Sequence, residues 1–90
     1  MKKIIITVVG MDTVGIIARV CSCLASHQVN ILDISQTIVA GYFNMMMVTD
    51  PSASDVPTGQ LQAELGAIGE DMGLSIRVMN EDIFNAMHRI

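Results

Sequence analysis

Residues 3–9, Lys-Ile-Ile-Ile-Thr-Val-Val, are nearly all apolar and mostly β-branched, which suits a strand at the centre of a sheet. Gly10 breaks this run. Asp12 or Thr13 is placed to cap a following helix by accepting a bond from a first-turn N–H. In that helix Ile17, Val20, Cys21 and Leu24 recur at helical spacing to about His27. Residues 30–39 then alternate, with Leu32, Ile34 and Ile38 facing one way and Asp33, Ser35 and Thr37 the other. Ala40-Gly41 fits a two-residue hairpin turn into a strand over 42–49. That turn pairs Ile38 with Phe43 and Ile34 with Met47 on a covered face, and Ser35 with Met46 and Thr37 with Asn44 on a partly open one.

Both prolines lie in residues 50–57, a connecting loop. Leu61, Leu65, Ile68 and Met72 form the stripe of a second helix. Gly66 and Gly69 weaken it, and either permit close packing or mark fraying. Gly73 is placed to end it, and residues 74–79 form a fourth strand. The order β-α-β-β-α-β predicts an α+β, ferredoxin-like fold, with a four-stranded antiparallel sheet and both helices on one face. Beyond it, Asn80 can cap a short helix in which Ile83, Phe84, Met87 and Ile90 share a face. Glu81 and Asp82 stand at its positive end, and His88 and Arg89 at its negative end. So short a helix is unstable alone and must dock on its own sheet or on a neighbouring subunit.

Composition narrows the function. The chain has 90 residues, of which 51% are hydrophobic and 3% aromatic, with eight methionines, so its core is aliphatic and Met-filled. In so small a body this much apolar residue also covers an interface between chains, and a homodimer is expected. A formal charge of −4 with no basic stripe argues against nucleic-acid binding. The apolar run after Lys2-Lys3 is too short for a secretory signal, and nothing approaches a membrane span. Cys21 and Cys23, turned away from each other on a helix, read as buried free thiols of a cytoplasmic protein.

Other occupants of this fold fail on their chemistry. There is no paired-Cys loop for a metallochaperone, and only Tyr42 and Phe43 serve as sheet aromatics for base stacking. Arg19 lies too far into the helix to cradle a phosphate. His27 and His88 have no Cys or carboxylate at metal-ligand spacing. Met45-Met46-Met47 invites Cu(I), but alternation sends Met46 away from the other two, and the run reads as core and interface filler. No nucleophile–base pair or carboxylate dyad is visible. No catalysis, cofactor or metal is expected.

Asp12-Thr13-Val14-Gly15 and Val29-Asn30-Ile31 carry a more specific pattern. Taken alone, Asp12 is a helix cap and Asn30 a turn residue. Together, between a first strand, a helix and the opening of a second strand, they resemble the ACT domain, a small amino-acid-sensing module, over residues 3–79. The tail from Glu81 to Ile90, with Gly41-Tyr42-Phe43-Asn44-Met45-Met46-Met47, resembles small, free-standing bacterial ACT proteins of uncharacterised role. These are similar to the ACT repeats of the glycine-cleavage-system repressor. The resemblance implies an effector at a subunit interface, held by the loop after the first strand and the Asn that begins the second. Carried over, it names Met11, Asp12, Thr13, Val14, Gly15, Asn30 and Ile31 as ligand-binding. The expectation is one domain over 1–90, with a core at 3–79 and a helical extension at 80–90. Its expected role is that of a dimeric regulatory module that senses an amino acid and acts on a target protein. The alternative is an interaction scaffold with no small ligand.

Overall fold

The computed structural model describes residues 3–87. Its elements are β1 (Ile4–Met11), α1 (Ile16–Ser26), β2 (Asn30–Val39), β3 (Tyr42–Asp50), α2 (Thr58–Met72), β4 (Leu74–Asn80) and α3 (Glu81–Met87). The sheet order is β2-β3-β1-β4, and each neighbouring pair is antiparallel. This is the expected ferredoxin-like βαββαβ arrangement with a helix appended.

Strand alternation divides the sheet into two faces. Ile4, Ile6 and Val8 of β1 and Phe43, Met45 and Met47 of β3 point toward α1 and α2, and all are buried in the core. The buried hydroxyl of Thr49 on the same face donates to the Ile4 carbonyl at 2.9 Å, so no bonding capacity is stranded there. On α1 the buried residues are Ile16, Val20 and Leu24, four apart, rather than the expected set led by Ile17. Starting the helix at Ile16 turns Ile17 about 100° from that stripe, and it stays 38% exposed. Cys21 and Cys23 are free and half-buried against the core rather than fully buried.

Two more expectations change. Gly10 does not end the first strand; β1 continues through it to Met11, pairing Gly10 with Phe43 and Leu74. A Cβ at Gly10 would lie 3.1 Å from the Gly73 carbonyl oxygen and 3.2 Å from Leu74 Cα, and 2.6 Å from Leu74 Cδ2, so glycine eases a close approach of β4 to β1. The hairpin register is as expected, with Ile38 opposite Phe43, Ile34 opposite Met47, Ser35 opposite Met46 and Thr37 opposite Asn44. Its helix-facing side is not covered at β2, however: Ile34 is 43% and Ile38 57% exposed. As the edge strand, β2 lies beyond the shelter of the helices, and Leu32 is also exposed beside a register shift between Ile31 and Asp33.

α3 is capped as expected, with the Ile83 N–H donating to Asn80 Oδ1 at 2.9 Å. The Glu81 N–H donates to the Lys3 carbonyl at 3.0 Å, and α3 packs against β4 and β1. Ile83 and Met87 are exposed, so the helix docks without burying the whole expected face. His88, Arg89 and Ile90 lie outside the described residues.

The two glycines of α2 differ. A Cβ at Gly69 would sit 2.7 Å from the Leu74 carbonyl oxygen, whereas one at Gly66 would meet nothing within 4 Å. Gly69→Ala is expected to cost about 1–3 kcal/mol through overpacking against backbone. Gly66→Ala should gain up to about 1 kcal/mol from helix propensity. Urea unfolding of both variants checks the contrast, and equal effects would contradict the close-packing role of Gly69.

Candidate functional site

After Met11 the chain turns toward α1, and the Asp12 N–H donates to the Gly41 carbonyl at 3.0 Å, pinning the turn to the β2–β3 hairpin. Gly15 is the N-cap of α1, in the left-handed region at φ 92°, and no side chain caps the helix. Asp12 and Thr13 therefore do not play the capping role their positions suggest, because the helix begins later than expected. The first turn also carries no acidic residue. Backbone N–H groups at the positive end of a helix dipole are thus left for solvent or an anionic group.

Beside this helix start lies a groove of about 290 Å³. Asp12, Thr13 and Gly15 line one side, Ile17 and Ala18 of α1 another, and Gln36 and Ile38 of β2 the third, above Phe43. Its size is at the low end of the roughly 300–1,000 Å³ typical of ligand clefts. An exposed carboxylate, uncapped amides, a side-chain amide and an apolar floor together suit a small zwitterion.

Of the residues named from sequence, Asp12, Thr13 and Gly15 meet at this groove. Met11 and Val14 flank it without lining it, 62% and 96% exposed. Asn30 and Ile31 lie elsewhere. Ile31 pairs with Thr49, and Thr49 with Ile4 at the start of β1, whereas Asp12 follows the end of that strand. The length of β1 puts the two groups roughly 25 Å apart within one chain. Gln36 and Ile38 also line the groove, although the sequence pattern assigns neither a role in ligand binding. Gln36 carries a signal in the sequence as the polar residue that interrupts the apolar alternation of Ile34 and Ile38.

A second polar cluster lies where α1 ends. His27 Nδ1 is 2.8 Å from Asp55 Oδ1, and His27 Nε2 is 2.8 and 2.9 Å from the two oxygens of Glu64. Gln60 Nε2 donates to Glu64 at 3.1 Å. With both ring nitrogens facing carboxylates, the protonated imidazolium is stabilised relative to a free histidine. The bonds to Glu64 and then Asp55 raise the His27 pKa, and the bond from His27 lowers that of Glu64. Burial, and then Glu64, push the Cys23 thiol up, away from the reactive thiolate. The cluster clips α1, the 51–57 loop and α2 together, and Arg19 pairs with Asp71 between the same two helices. Sequence spacing does not reveal it, because its members come from three separate segments.

The ACT domain family model matches residues 2–79. A UPF0237 protein of Bifidobacterium longum is 58% identical over 90 residues, covering all of both chains. The structure of an ACT domain protein from Streptococcus pneumoniae has 40% identity and a TM-score of 0.79, covering 92% of this chain and 93% of that one. A putative glycine cleavage system transcriptional repressor shares the fold at 22% identity and a TM-score of 0.74, over 88% of this chain and 45% of that one. The chain belongs to the ACT domain family, a class of regulatory ligand-binding modules.

The His27 cluster makes stability depend on pH. His27 has a raised folded-state pKa, so its contribution is complete below its ordinary 6.5 and is lost as pH rises through the raised value. Glu64 has a lowered one, so its contribution is complete above its ordinary 4.5 and is lost as pH falls through the lowered value. The melting temperature is expected to peak between these limits and to decline on the alkaline side. His27→Gln should flatten that alkaline decline. An unchanged profile in the variant would show that the clip does not bear on stability.

Proposed function

We propose that this chain is a stand-alone, non-catalytic regulatory module that binds an amino acid between two copies of itself. Residues 3–79 form the sensing core and 80–90 an extension of the same domain. One observation carries the reading: the Asp12 groove and Asn30 sit at opposite ends of the sheet, and between them runs an uncovered edge strand. Antiparallel pairing of two β2 edges about a two-fold axis makes a continuous eight-stranded sheet and satisfies their open backbone groups. It also carries the partner subunit's Asn30 to the Val39 end of β2, beside the groove. Ile34 and Ile38, bare in one chain, are then covered.

In this arrangement the uncapped amides of α1 receive the ligand carboxylate and Asp12 receives its ammonium. The other residues named from sequence, Met11, Thr13, Val14, Gly15 and Ile31, frame the two halves of the site. The ligand regulates by favouring one conformation of the dimer, or its affinity for a target protein, over another. A cytoplasmic location fits this role, and no helix among the described residues is long and apolar enough to cross a membrane. A second reading, an interaction scaffold without a ligand, draws on the exposed Ile83 and Met87 of α3.

Thermal melting against the twenty amino acids separates the two. A ligand at a hundred times its Kd stabilises by about 2.7 kcal/mol, which raises the midpoint by roughly 10 °C or more in a domain of this size. Asp12→Asn and Asn30→Ala are each expected to abolish that shift and leave the dimer intact. No shift with any amino acid, with the dimer preserved, would favour the scaffold. Normal binding by both variants would remove the site assignment.

A further inference from the structure

The 51–57 loop is braced within itself but lightly tied to α1. The Ser54 N–H donates to the Pro51 carbonyl at 2.9 Å, and the Ser54 hydroxyl donates to the Val56 carbonyl at 2.8 Å. Among the described residues two bonds join the loop to α1, and both end on His27. The Asp55 N–H donates to the His27 carbonyl at 3.3 Å, long for such a bond, and His27 Nδ1 lies 2.8 Å from Asp55 Oδ1. The ring works from a fixed base. His27 is the C-cap of α1, and the chain folds back there with Gln28 in the left-handed region at φ 61°. The Gln28 and Val29 N–H groups donate to the Ala25 and Leu24 carbonyls, each at 3.0 Å.

We propose that His27 is a proton-operated latch on the 51–57 loop, which holds Asp55 and Glu64 together while both ring nitrogens are protonated and lets go of Asp55 alone when one proton leaves. Ionised carboxylates only accept hydrogen bonds, so each contact needs an N–H on the ring, and a neutral imidazole has one. Glu64 keeps it. Nε2 faces both Glu64 oxygens, at 2.8 and 2.9 Å, whereas Nδ1 faces one oxygen of Asp55. Gln60 Nε2 holds Glu64 in place from α2 at 3.1 Å. The Asp55 side chain is 57% exposed against 39% for Glu64, so it regains water more readily. The bare Nδ1 lone pair then repels Asp55, and the loop is freed while the tie between α1 and α2 stays.

The charges facing the ring are Glu64 from α2 and Asp55 from the loop. From α1, the Cys23 thiol stands 4.0 Å from Glu64, and burial and then that carboxylate favour its protonated form. The bonds to Glu64 and then Asp55 raise the His27 pKa, so the latch is shut below the ordinary 6.5 and opens as pH rises through the raised value. The loop follows directly on Asp50, the strand partner of Asn30, so its release loosens the end of the sheet that carries Asn30. On the reading of the site proposed above, ligand affinity then falls as the latch opens.

The test is NMR on the ligand-free protein, so its outcome stands apart from the site assignment. Nitrogen shifts of the His27 ring across a pH titration are expected to show the Nε2–H tautomer once the ring is neutral. Over the same transition the Asp55 amide should lose roughly five-fold or more of its protection from solvent exchange, corrected for the intrinsic effect of pH, while the amides of α1 and α2 keep theirs. Asp55→Asn should abolish the pH dependence of the loop, because the new amide can donate to the bare Nδ1 as well as accept from Nδ1–H. Asp55→Ala should leave the loop open at every pH. Position 55 is exposed, so neither variant disturbs the core. An Nδ1–H tautomer in the neutral ring would overturn the proposal, as would loop protection that does not follow the His27 titration or that keeps its pH dependence in Asp55→Asn.

Discussion

Leu74 is held between two glycines, and the placement of the helical layer depends on that contact. On one side its Cδ2 lies 2.6 Å from where a Cβ of Gly10 would be; on the other its carbonyl oxygen lies 2.7 Å from where a Cβ of Gly69 would be. The first leaves room for β4 to lie close against β1 at the end of their ladder, and the second lets the end of α2 rest directly on the start of β4. Gly73 makes the join, ending α2 in the left-handed region at φ 71°. With α2 held over β4, α1 packs beside it over the centre of the sheet, and Ile16, Val20 and Leu24 close the core. The helical layer is used up there, and β2 is left as an edge strand with Ile34 and Ile38 exposed on its helix-facing side.

That economy shapes the functional surface. A strand with apolar residues at Ile34 and Ile38, but no helix to cover them, presents both a hydrophobic stripe and open backbone groups. The groove beside α1 has the same origin, since it fills the gap between the start of the helix and the uncovered strand. The edge and the candidate ligand site are therefore one feature, and an event at one is physically placed to be felt at the other.

The His27 clip works at the opposite end of α1. It ties the residue that ends α1 to the 51–57 loop and to α2. Its partners are half-exposed, and the bonds hold local geometry more than they add to overall stability. The site end of α1, by contrast, has no side-chain cap, so the helix is held firmly at one end and open to a ligand at the other.

Sequence alone determined the order of elements, the hairpin register at Ala40-Gly41, the Asn80 cap and the family pattern around Asp12 and Asn30. Each depends on local chemistry: β-branched runs, left-handed turn residues, or short polar side chains beside free amides. Only the tertiary structure decided that Gly10 continues its strand, that Ile16 rather than Ile17 is buried, and that Gln36 and Ile38 border the groove. It also decided that Asp55 and Glu64 converge on His27, and that Asn30 stands far from Asp12 within one chain. These outcomes depend on which surfaces come together across distant segments, and no local pattern encodes a contact whose other half lies thirty residues away.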